Sequence, residues 1–422
     1  MTHSVANGRD KRTMVPFSRP KNKFLVQMRI QSQIPHNSTS IFQIIVPVFN
    51  EEETLDQVLL HAQEHEYLKH MILVDDASTD SSPQILQEWA RHRGIQAISL
   101  RNNRKKEGAI RAALEILEQE HRLAPYIVLL DSDSLIARSA NGEAICDQIE
   151  RAIVHMHTRG VYGMAFQINA LANKTGNIFS YAAFAEYSAM QFDLWLVSKQ
   201  QQLWVINGPG GIFESERLLE ILRSIVPDFE TGDLLITVEL MKSKQPIEFY
   251  PDVSVMTFVP TTLKAYFSQR RRWERGTTKV LWNERQFYFC LYGGLSLLGI
   301  ATLIHLLLYI GLMISVVMIL SNAMTTGDAA SVLVVSAVLW FVISVLKGAW
   351  LTLRRPHFPF VRYCLCAVGN GVLWAFITAP ARITGFAEAC IQLVSVTNRS
   401  EVPKRASIEE SSWLTKDQIV LR

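Results

Sequence analysis

Short β-rich runs alternate with helical patterns between residues 40 and 283, and this alternation limits the fold more than any other feature of the chain. The runs with strand composition are IFQIIVPVF, HMILVDDAS, IQAISL and YIVLLDSD. Between them lie LDQVLLHAQEH, PQILQEWARHR and EGAIRAALEILEQEH, which have the apolar spacing of amphipathic helices. Because this order is typical of parallel strand pairing, it predicts an α/β fold whose mixed, mostly parallel sheet has helices on both faces.

Acidic side chains follow three of these strands where each strand ends. The first strand runs into VPVFNEEETL, the second into VDDASTD and the fourth into LLDSDS. A single acid in such a place often caps the next helix, and Asp80 and Glu52 are candidates for that role. Ligands of parallel sheets bind beyond the carboxyl ends of the strands. We therefore expect one cleft to collect Glu51, Asp75, Asp76, Asp131 and Asp133.

The DSD triplet has the composition of a site for a metal ion and a phosphate. Alternate residues of a strand point the same way, so Asp131 and Asp133 are predicted to present two carboxylates to one side as metal ligands. Mg²⁺ or Mn²⁺ uses one or two carboxylates and completes its coordination with phosphate oxygens and water. The implied ligand is a nucleotide diphosphate. Neither GxxxxGKS nor GxGxxG is present, so a P-loop NTPase and a dinucleotide enzyme are not supported.

The charge of the chain argues against nucleic acid as a partner. The formal net charge is +3. Arginines interleaved with an aromatic residue occur in SQRRRWERG, Ser268 to Gly276, and no comparable stripe is found elsewhere. We therefore expect no nucleic-acid binding.

Several separated motifs, in order, resemble those of the family 2 glycosyltransferases, inverting enzymes of GT-A type fold that use nucleotide sugars. The resemblance covers about residues 42–277. In that family the turn after the first strand holds the nucleoside, the acids after the second strand contact uracil and ribose, and a lysine at a helix start lies near the diphosphate. The resemblance therefore implies donor binding by Pro47, Val48, Phe49, Asn50, Glu51, Asp75, Asp76, Lys106 and Asp131, with Asp133 as the usual metal ligand.

Two further motifs narrow the resemblance to the membrane-integrated branch. In TGDLLITVEL, Asp233 takes the place of the aspartate of a TED-like motif, which acts as catalytic base, and Gly232 replaces the glutamate. The run from Gln269 to Trp273 matches Q(Q/R)xRW, the signature of polysaccharide synthases and of some membrane glycolipid glucosyltransferases. INGPGGIFES, which contains Asn207, corresponds to an acceptor-contacting segment. The alternative for that segment is a tight glycine turn that needs positive φ.

The resemblance implies a hexosyl transfer in which an acceptor hydroxyl attacks the anomeric carbon of a UDP-sugar. Asp233 would remove the proton as general base, and a single displacement would give a β-glycoside from an α-linked donor. The metal ion, Lys106 and Arg272 would stabilise the leaving diphosphate. Trp273 would offer an apolar face to an acceptor sugar. The assigned catalytic residues are Asp233, Gln269, Arg272 and Trp273, with Arg270 in support and Arg271 and Arg275 as membrane-flanking charges.

Apolar segments follow the α/β part of the chain. No charged residue occurs from Phe287 to Leu320, a run longer than the ~20 residues of one membrane helix. A second segment runs from Ala330 to about Leu353 and a third from near Tyr363 to about Val396. Three arginines lie in LRRPHFPFVR between the last two, which by the positive-inside rule places the N-terminal part in the cytosol.

The predicted organisation has four parts. We expect a polar basic tail over 1–40, a GT-A domain over 41–283, interfacial and transmembrane helices with about three spans over 284–396, and a polar tail over 397–422. The expected location is a bacterial inner or plasma membrane, crossed more than once, with the catalytic domain on the cytosolic side.

Two acceptors remain as alternatives, a growing polysaccharide and a lipid headgroup. The QRRRW run favours a polysaccharide, but about three spans form a poor channel for a hydrated glycan unless an oligomer or an accessory subunit completes it. A catalytically silent sugar-nucleotide-binding scaffold is a third hypothesis, and it predicts loss of acids that this chain retains. A transporter is disfavoured because few ionisable residues lie in the apolar segments.

Overall fold

The computed structural model describes residues 40–139, 141–171, 177–225, 230–288, 300, 318, 341–354, 358–373, 377–397 and 419–421. Strands in these residues form a nine-stranded sheet. The strands are β1 Phe42–Val48, β2 Met71–Asp75, β3 Gln96–Leu100, β4 Tyr126–Leu129, β5 Ser134–Ala137, β6 Gly163–Leu171, β7 Gly211–Glu214, β8 Ile247–Phe258 and β9 Ile419–Leu421.

Helices flank this sheet and continue beyond it. They are α1 Leu55–Glu64, α2 Ser82–Arg93, α3 Lys105–Gln119, α4 Ile145–Arg159, α5 Ile178–Ser198, α6 Ser215–Ser224, α7 Gly232–Lys242, α8 Leu263–Asn283, α9 Phe360–Leu373 and α10 Ala379–Thr397, and residues 341–354 are also helical. The four strands and three helices expected from the first part of the sequence correspond to β1 to β4 and α1 to α3.

The sheet is mixed, and its order is β5-β8-β6-β7-β4-β1-β2-β3-β9. Strands β4, β1, β2 and β3 are parallel to their neighbours within this set, as the strand and helix alternation predicts. Strand β7 runs antiparallel to both β4 and β6, and β5 runs antiparallel to β8. Strand β6 also runs parallel to β8. The expectation of a mostly parallel sheet is therefore right for the first strands and for this pair, and wrong where β5 and β7 enter the sheet from loops rather than from helical crossovers.

Two apolar cores lie on opposite faces of the sheet. In β1, Ile45 belongs to the core that contains α3, whereas Ile44 and Val46 belong to the core that contains α1 and α4. Successive side chains of a strand point to opposite faces, so a strand buried on both faces must be apolar throughout. This burial explains the continuous run FQIIVPV in β1. The same burial leaves the strand ends as the first places where polar side chains are accommodated.

The last two helices pack on the α/β part. Helix α9 packs against α5, and α10 packs along α8. Gly385 of α10 meets the α8 backbone closely, because a Cβ there would overlap the carbonyl oxygen of Arg271 and lie 3.2 Å from the amide nitrogen of Arg275. The absence of a side chain at Gly385 is therefore what permits the close contact of the two helices.

Among the helices that the structure describes, none is long and apolar enough to cross a membrane. The expected apolar segment from Phe287 to Leu320 and the first part of the segment from Ala330 to Leu353 lie largely outside the described residues. So do the two tails, apart from a few residues. The third expected segment contains α9 and α10.

Gly385→Ala should weaken the docking of α10 on α8, since backbone cannot move aside as a flexible side chain can. We expect a loss of about 1–3 kcal/mol of stability, measured by thermal unfolding and by protease protection of α10. Gly369→Ala on α9 is the matched control, because nothing lies within 4 Å of a Cβ there. Equal unfolding temperatures for the two variants would contradict the close contact.

Candidate active site

The loops that follow β1 and β2 are joined by hydrogen bonds. The Asn50 amide donates to Ser78 Oγ (3.1 Å), and the Thr79 amide donates to Asn50 Oδ1 (2.8 Å). The Glu51 amide donates to Ser82 Oγ (2.9 Å). Asn50 has φ 56°, a left-handed conformation that asparagine tolerates better than most residues. The ends of two neighbouring parallel strands are thus held together, as the sequence predicts.

Glu52 and Asp80 have structural roles at the start of α2. The Ser81 amide donates to Glu52 Oε2 (2.9 Å), and the Ser82 amide donates to Asp80 Oδ1 (3.0 Å). Backbone amides at a helix start have no partner within the helix and need such acceptors. The capping alternative therefore fits these two acids.

The acids after β2 are buried and bonded to backbone amides. Asp75 Oδ1 accepts from the Ser78 amide (3.0 Å), and Asp76 Oδ1 accepts from the Arg104 amide (2.7 Å). Burial raises the pKa of Asp76 to about 6, although its amide donors oppose the shift. Asp76 thereby joins the end of β2 to the segment just before Lys106. The nucleoside contacts assigned to Asp75 and Asp76 stay predictions.

The other residues assigned to the nucleoside lie at the end of β1. Pro47 pairs with Val74 in the parallel register of β1 and β2. Phe49 is exposed, at 46% of its surface. The nucleoside contacts assigned to Pro47 and Phe49 stay predictions.

The DSD triplet is a turn, which corrects the expectation that it continues a strand. Strand β4 ends at Leu129, and the Ser134 amide donates to the carbonyl oxygen of Asp131 (3.0 Å). The turn, rather than strand alternation, therefore sets the directions of Asp131 and Asp133. It also starts β5, which pairs with β8.

Asp133 is held from the strand beside it. Its Oδ1 accepts from the Thr257 hydroxyl of β8 (3.3 Å) and from the Ser134 hydroxyl (3.0 Å). Burial and the nearby charge of Asp131 raise the pKa of Asp133 to about 6. Burial and the charge of Asp133 likewise raise the pKa of Glu51 to about 7. The ends of β1 and β4 therefore place three carboxyl groups within electrostatic reach of one another.

This set of oxygen donors fits a hard divalent cation. The pKa values of Glu51 and Asp133 are raised partly by the charges of neighbouring carboxylates, and a cation bound among these groups would relieve that repulsion. Within the described residues no group of three or more His, Cys, Asp or Glu side chains is already arranged as a metal cluster. A cation that shares a diphosphate needs only one or two protein carboxylates, which Asp133 and Asp131 would provide.

Lys106 connects the acids of the DSD turn to Asp233. Its Nζ forms an ion pair with Asp131 Oδ1. Burial alone would lower the pKa of Lys106, but the charges of Asp131 and Asp233 raise it above its ordinary value. Lys106 is the second residue of α3, so this cation reaches the site from the start of a helix. The structure thus brings together three residues that the sequence places far apart.

Asp233 lies in the first turn of α7, in the same cavity as Lys106, Glu107, Asn207 and Gly208. Its Oδ2 accepts from the Gly208 amide (3.0 Å), and its Oδ1 accepts from the Leu234 amide (2.8 Å). Burial raises the pKa of Asp233, whereas Lys106 and the two amides oppose the rise. A carboxylate with fixed orientation and raised basicity is suited to accept a proton.

The glycine-rich segment that leads into β7 does not need positive φ. The alternative that this segment is a tight turn requiring positive φ is therefore wrong. The glycines with positive φ in the described residues are Gly94, Gly142 and Gly160. A Cβ on Gly208 would instead lie 2.5 Å from Lys106 Nζ, and one on Gly210 would lie 2.8 Å from a methyl group of Val255. Close packing therefore explains these glycines. Asn207 Nδ2 beside them is a buried donor without a hydrogen-bond partner among the described residues.

The QRRRW run lies in α8 and contains a buried cation. Arg270 is 1% exposed, and its guanidinium lies over the rings of Tyr266 (4.7 Å) and Trp273 (4.4 Å). Its Nη2 is 2.6 Å from Glu186 Oε2 of α5. Arg270 therefore packs against Trp273 and joins α8 to α5, and its supporting role in catalysis stays a prediction.

The other residues of the run differ in their surroundings. Within the part of the chain that the structure describes, Gln269 Oε1 is a buried acceptor without a hydrogen-bond partner. Arg272 is exposed. Burial raises the pKa of Glu230, but hydrogen bonding to Arg275 and nearby positive charges together outweigh burial and keep this pKa below its ordinary value. The charge of Arg272 is one of these charges. The catalytic roles assigned to Gln269, Arg272 and Trp273 stay predictions.

Arg271 and Arg275 have acidic partners, so membrane-flanking charge does not account for them fully. Arg275 forms ion pairs with Glu230 and with Glu388 of α10 (2.5 Å to the latter), and Arg271 Nη1 lies 3.6 Å from Glu388. Glu230 lies three residues before Asp233. These arginines therefore join α10 to the segment that leads into the Asp233 turn.

Sequence reasoning missed three supporting residues: Thr257, Glu230 and Glu107. Thr257 and Glu230 contact residues that lie far away in the sequence, so no local sequence pattern indicates these contacts. Glu107 follows Lys106 in the quoted motif, and its burial against Gly232 is visible only in the structure.

Comparisons with known proteins identify the family. Residues 126–353, more than half of the chain, match the model described as glycosyl transferase family group 2, and residues 43–180 match the model of glycosyl transferase family 2. The chain therefore belongs to the family 2 glycosyltransferases and is a glycosyltransferase.

Two relatives have different acceptors in their names. Beta-monoglucosyldiacylglycerol synthase from Nostoc sp. is 28% identical over 275 residues, covering 62% of this chain and 52% of that protein. Poly-beta-1,6-N-acetyl-D-glucosamine synthase from Staphylococcus epidermidis is 23% identical over 267 residues, covering 62% and 60%. The chain thus spans about half to three fifths of the length of these relatives.

A solved structure, the mannosyltransferase PcManGT from Pyrobaculum calidifontis in complex with GDP-Man and Mn²⁺, is 18% identical. It aligns with a TM-score of 0.47 over 84% of this chain and 94% of that chain.

Asp133→Asn should stabilise the metal-free and ligand-free protein as the pH rises. The pKa of Asp133 is raised from 3.8 to about 6, so the folded state binds this proton more tightly than the unfolded state. Ionisation of Asp133 therefore lowers the free energy of unfolding progressively between about pH 4 and 6. Above about pH 6 the loss is constant, on the order of 1–3 kcal/mol. Denaturant unfolding at several pH values, with a chelator present, measures the difference.

Asp252→Asn, at an exposed position of β8, is the control for that series. We expect no comparable pH-dependent gain from it. If the free energy of unfolding changed with pH in the same way for Asp133→Asn and the wild type, this result would contradict the raised pKa of Asp133.

Proposed function

We propose that the protein is a membrane-bound inverting glycosyltransferase that uses a UDP-sugar and Mg²⁺ or Mn²⁺ to form β-glycosidic linkages, with polysaccharide synthesis as the reaction. The observation that carries this proposal is the convergence of Lys106, Asp131 and Asp233 at the carboxyl end of the sheet. There a cation suited to a diphosphate lies between an acid of the DSD turn and an acid suited to proton removal. Family membership supports the same chemistry.

Donor binding would use the acids at the ends of β1, β2 and β4. Asp133 and Asp131 would hold the divalent cation, which when bound supplies positive charge to the diphosphate. Lys106 is paired with Asp131 in the ligand-free protein, and a diphosphate oxygen would offer it a second anionic partner. Charge that develops on the leaving group would then meet a cation already in place, which lowers the cost of reorganisation.

Proton removal would fall to Asp233. The amides of Gly208 and Leu234 hold one carboxylate oxygen each, so its orientation is set before an acceptor arrives. Attack by the acceptor hydroxyl from the face opposite the departing diphosphate inverts the anomeric centre, while the hydroxyl proton passes to Asp233. Asn207 Nδ2, a buried donor that has no partner in the described part of the chain, would donate a hydrogen bond to the acceptor.

Membrane association is part of the proposal and is supported by exposed aliphatic side chains near the C terminus. Leu353 is 87% exposed, Val361 71% and Leu365 69%. Apolar side chains that cluster on a surface mark contacts with lipid or another protein, and we propose that these three belong to such a surface. The catalytic domain is proposed to face the cytosol, where UDP-sugars are available.

A lipid headgroup is the second candidate acceptor. The relative from Nostoc sp. is named for glucosyl transfer to diacylglycerol, whereas the relative from S. epidermidis is named for a polysaccharide. Because Arg270 covers one face of Trp273, stacking on an acceptor sugar would have to use the rest of that ring. A single acceptor unit at the membrane surface would satisfy this geometry as well as the end of a growing chain.

Membranes that contain the full chain should transfer label from one member of a panel of labelled UDP-sugars in the presence of Mg²⁺ or Mn²⁺. Solvent extraction and gel filtration then separate lipid-linked label from polymer. High-molecular-weight product supports polysaccharide synthesis, and one extractable band of fixed size supports the lipid acceptor. UDP binding without transfer from any donor would contradict the proposed activity and favour the scaffold.

Asp233→Asn should reduce transfer by roughly 100-fold or more while leaving UDP affinity near that of the wild type, because the change removes a general base and keeps the shape. Initial rates and calorimetric UDP titration measure the two effects. Glu239→Gln, on the same helix and paired with Lys242, is the matched control and should retain activity. Loss of UDP binding together with transfer would count against Asp233 as the base.

A further inference from the structure

Gly232 lies directly against the carboxyl group of Glu107. A Cβ built on Gly232 would overlap Oε1, Cδ and Cγ of Glu107, which are its three nearest neighbours. Gly232 is the first residue of α7, and Glu107 belongs to the first turn of α3. The present position of the Glu107 carboxyl and any side chain at position 232 are therefore mutually exclusive.

Glu107 is also a neighbour of the candidate base. It is 6% exposed and lines the cavity that contains Asp233 and Lys106. Burial raises the pKa of Glu107 to about 7, the charge of Lys106 opposes this, and the charge of Asp233 adds to it. Burial of a carboxyl group costs free energy of folding unless hydrogen bonds or opposite charges compensate. This carboxyl fills space that glycine at position 232 leaves open, next to the residue that would accept the proton.

We infer that Glu107 is a positioning residue for Asp233: its carboxyl, delivered from α3, occupies the place beside Gly232 and supports the first turn of α7. The inference rests on the proposed role of Asp233 as base. The acid that the TED-like pattern carries next to the aspartate is supplied here by a different helix.

Glu107 would influence Asp233 through the residue that directly precedes it. Gly232 precedes Asp233, whose carboxylate is otherwise oriented by the amides of Gly208 and Leu234. Removal of the Glu107 carboxyl would leave a gap against the start of α7, and the turn would be free to shift toward it. A base displaced by about 1 Å costs up to about 100-fold in rate, because the acceptor hydroxyl is then misaligned.

Exchange of the two side chains tests the inference. Glu107→Ala should lower kcat by roughly 10- to 100-fold and change the KM for the donor little. Gly232→Glu should lose activity and unfold at a lower temperature, because the new side chain overlaps Glu107. The double variant Glu107→Ala with Gly232→Glu returns an acid to the same space from the other helix. It should recover the unfolding temperature and at least a tenfold part of the lost kcat.

Glu115→Ala is the matched control, because Glu115 is a buried glutamate on α3 that pairs with Arg111 outside the cavity. It should lower stability and leave kcat per folded molecule unchanged. Glu107→Gln separates shape from charge, and a role in support predicts that it keeps most of the activity that Glu107→Ala loses.

Two results would overturn the inference: wild-type kcat in Glu107→Ala at equal folded fraction, or a double variant no more stable than Gly232→Glu. The unfolding temperatures are read without substrate. If the wild type binds UDP and transfers no sugar, the proposed function fails. The stability of the double variant would still show whether the side chains at positions 107 and 232 occupy the same space.

Discussion

The ion pair between Lys106 and Asp131 is the interaction on which the arrangement of the site depends. It joins the start of α3 to the turn after β4, and the same lysine compensates Asp233 at the start of α7. Nearby carboxylate charges contribute to the raised pKa values of Glu51 and Asp133 where the parallel strands end, and Lys106 lies beside these acids in its pair with Asp131. The carboxyl end of the sheet is thus built around excess negative charge with one fixed counter-charge, which suits a ligand that brings both phosphates and a metal ion.

The part of the fold that sequence predicts best is the part that burial determines. Strand β1 is apolar throughout because both of its faces are covered, and the acids beyond it mark the first position that water or a ligand reaches. The directions of Asp131 and Asp133 were not predictable in this way, since the triplet forms a turn through the Ser134 amide. The glycines from Gly208 onward were ambiguous for a related reason: positive φ and close approach select the same residue type. The backbone angles and the neighbours Lys106 and Val255 distinguish the two causes, and only the structure shows them.

Contacts between distant segments set the remaining features. In sequence, Arg270 of the QRRRW run resembles any other exposed arginine, yet it is buried against two aromatic rings and paired with Glu186. Arg275 bridges Glu230 and Glu388, so α10, α8 and the segment before Asp233 form one connected body. A local charge pattern cannot report such pairing because each partner lies more than forty residues away.

The shared space of Glu107 and Gly232 has a consequence for how such a site changes over generations. An acid at both positions would put two side chains in one volume, so a chain that carries both would have to displace the Glu107 carboxyl. A chain with neither acid would leave that volume empty beside the base. Either single substitution is therefore expected to be unfavourable, and each arrangement would tend to persist once established.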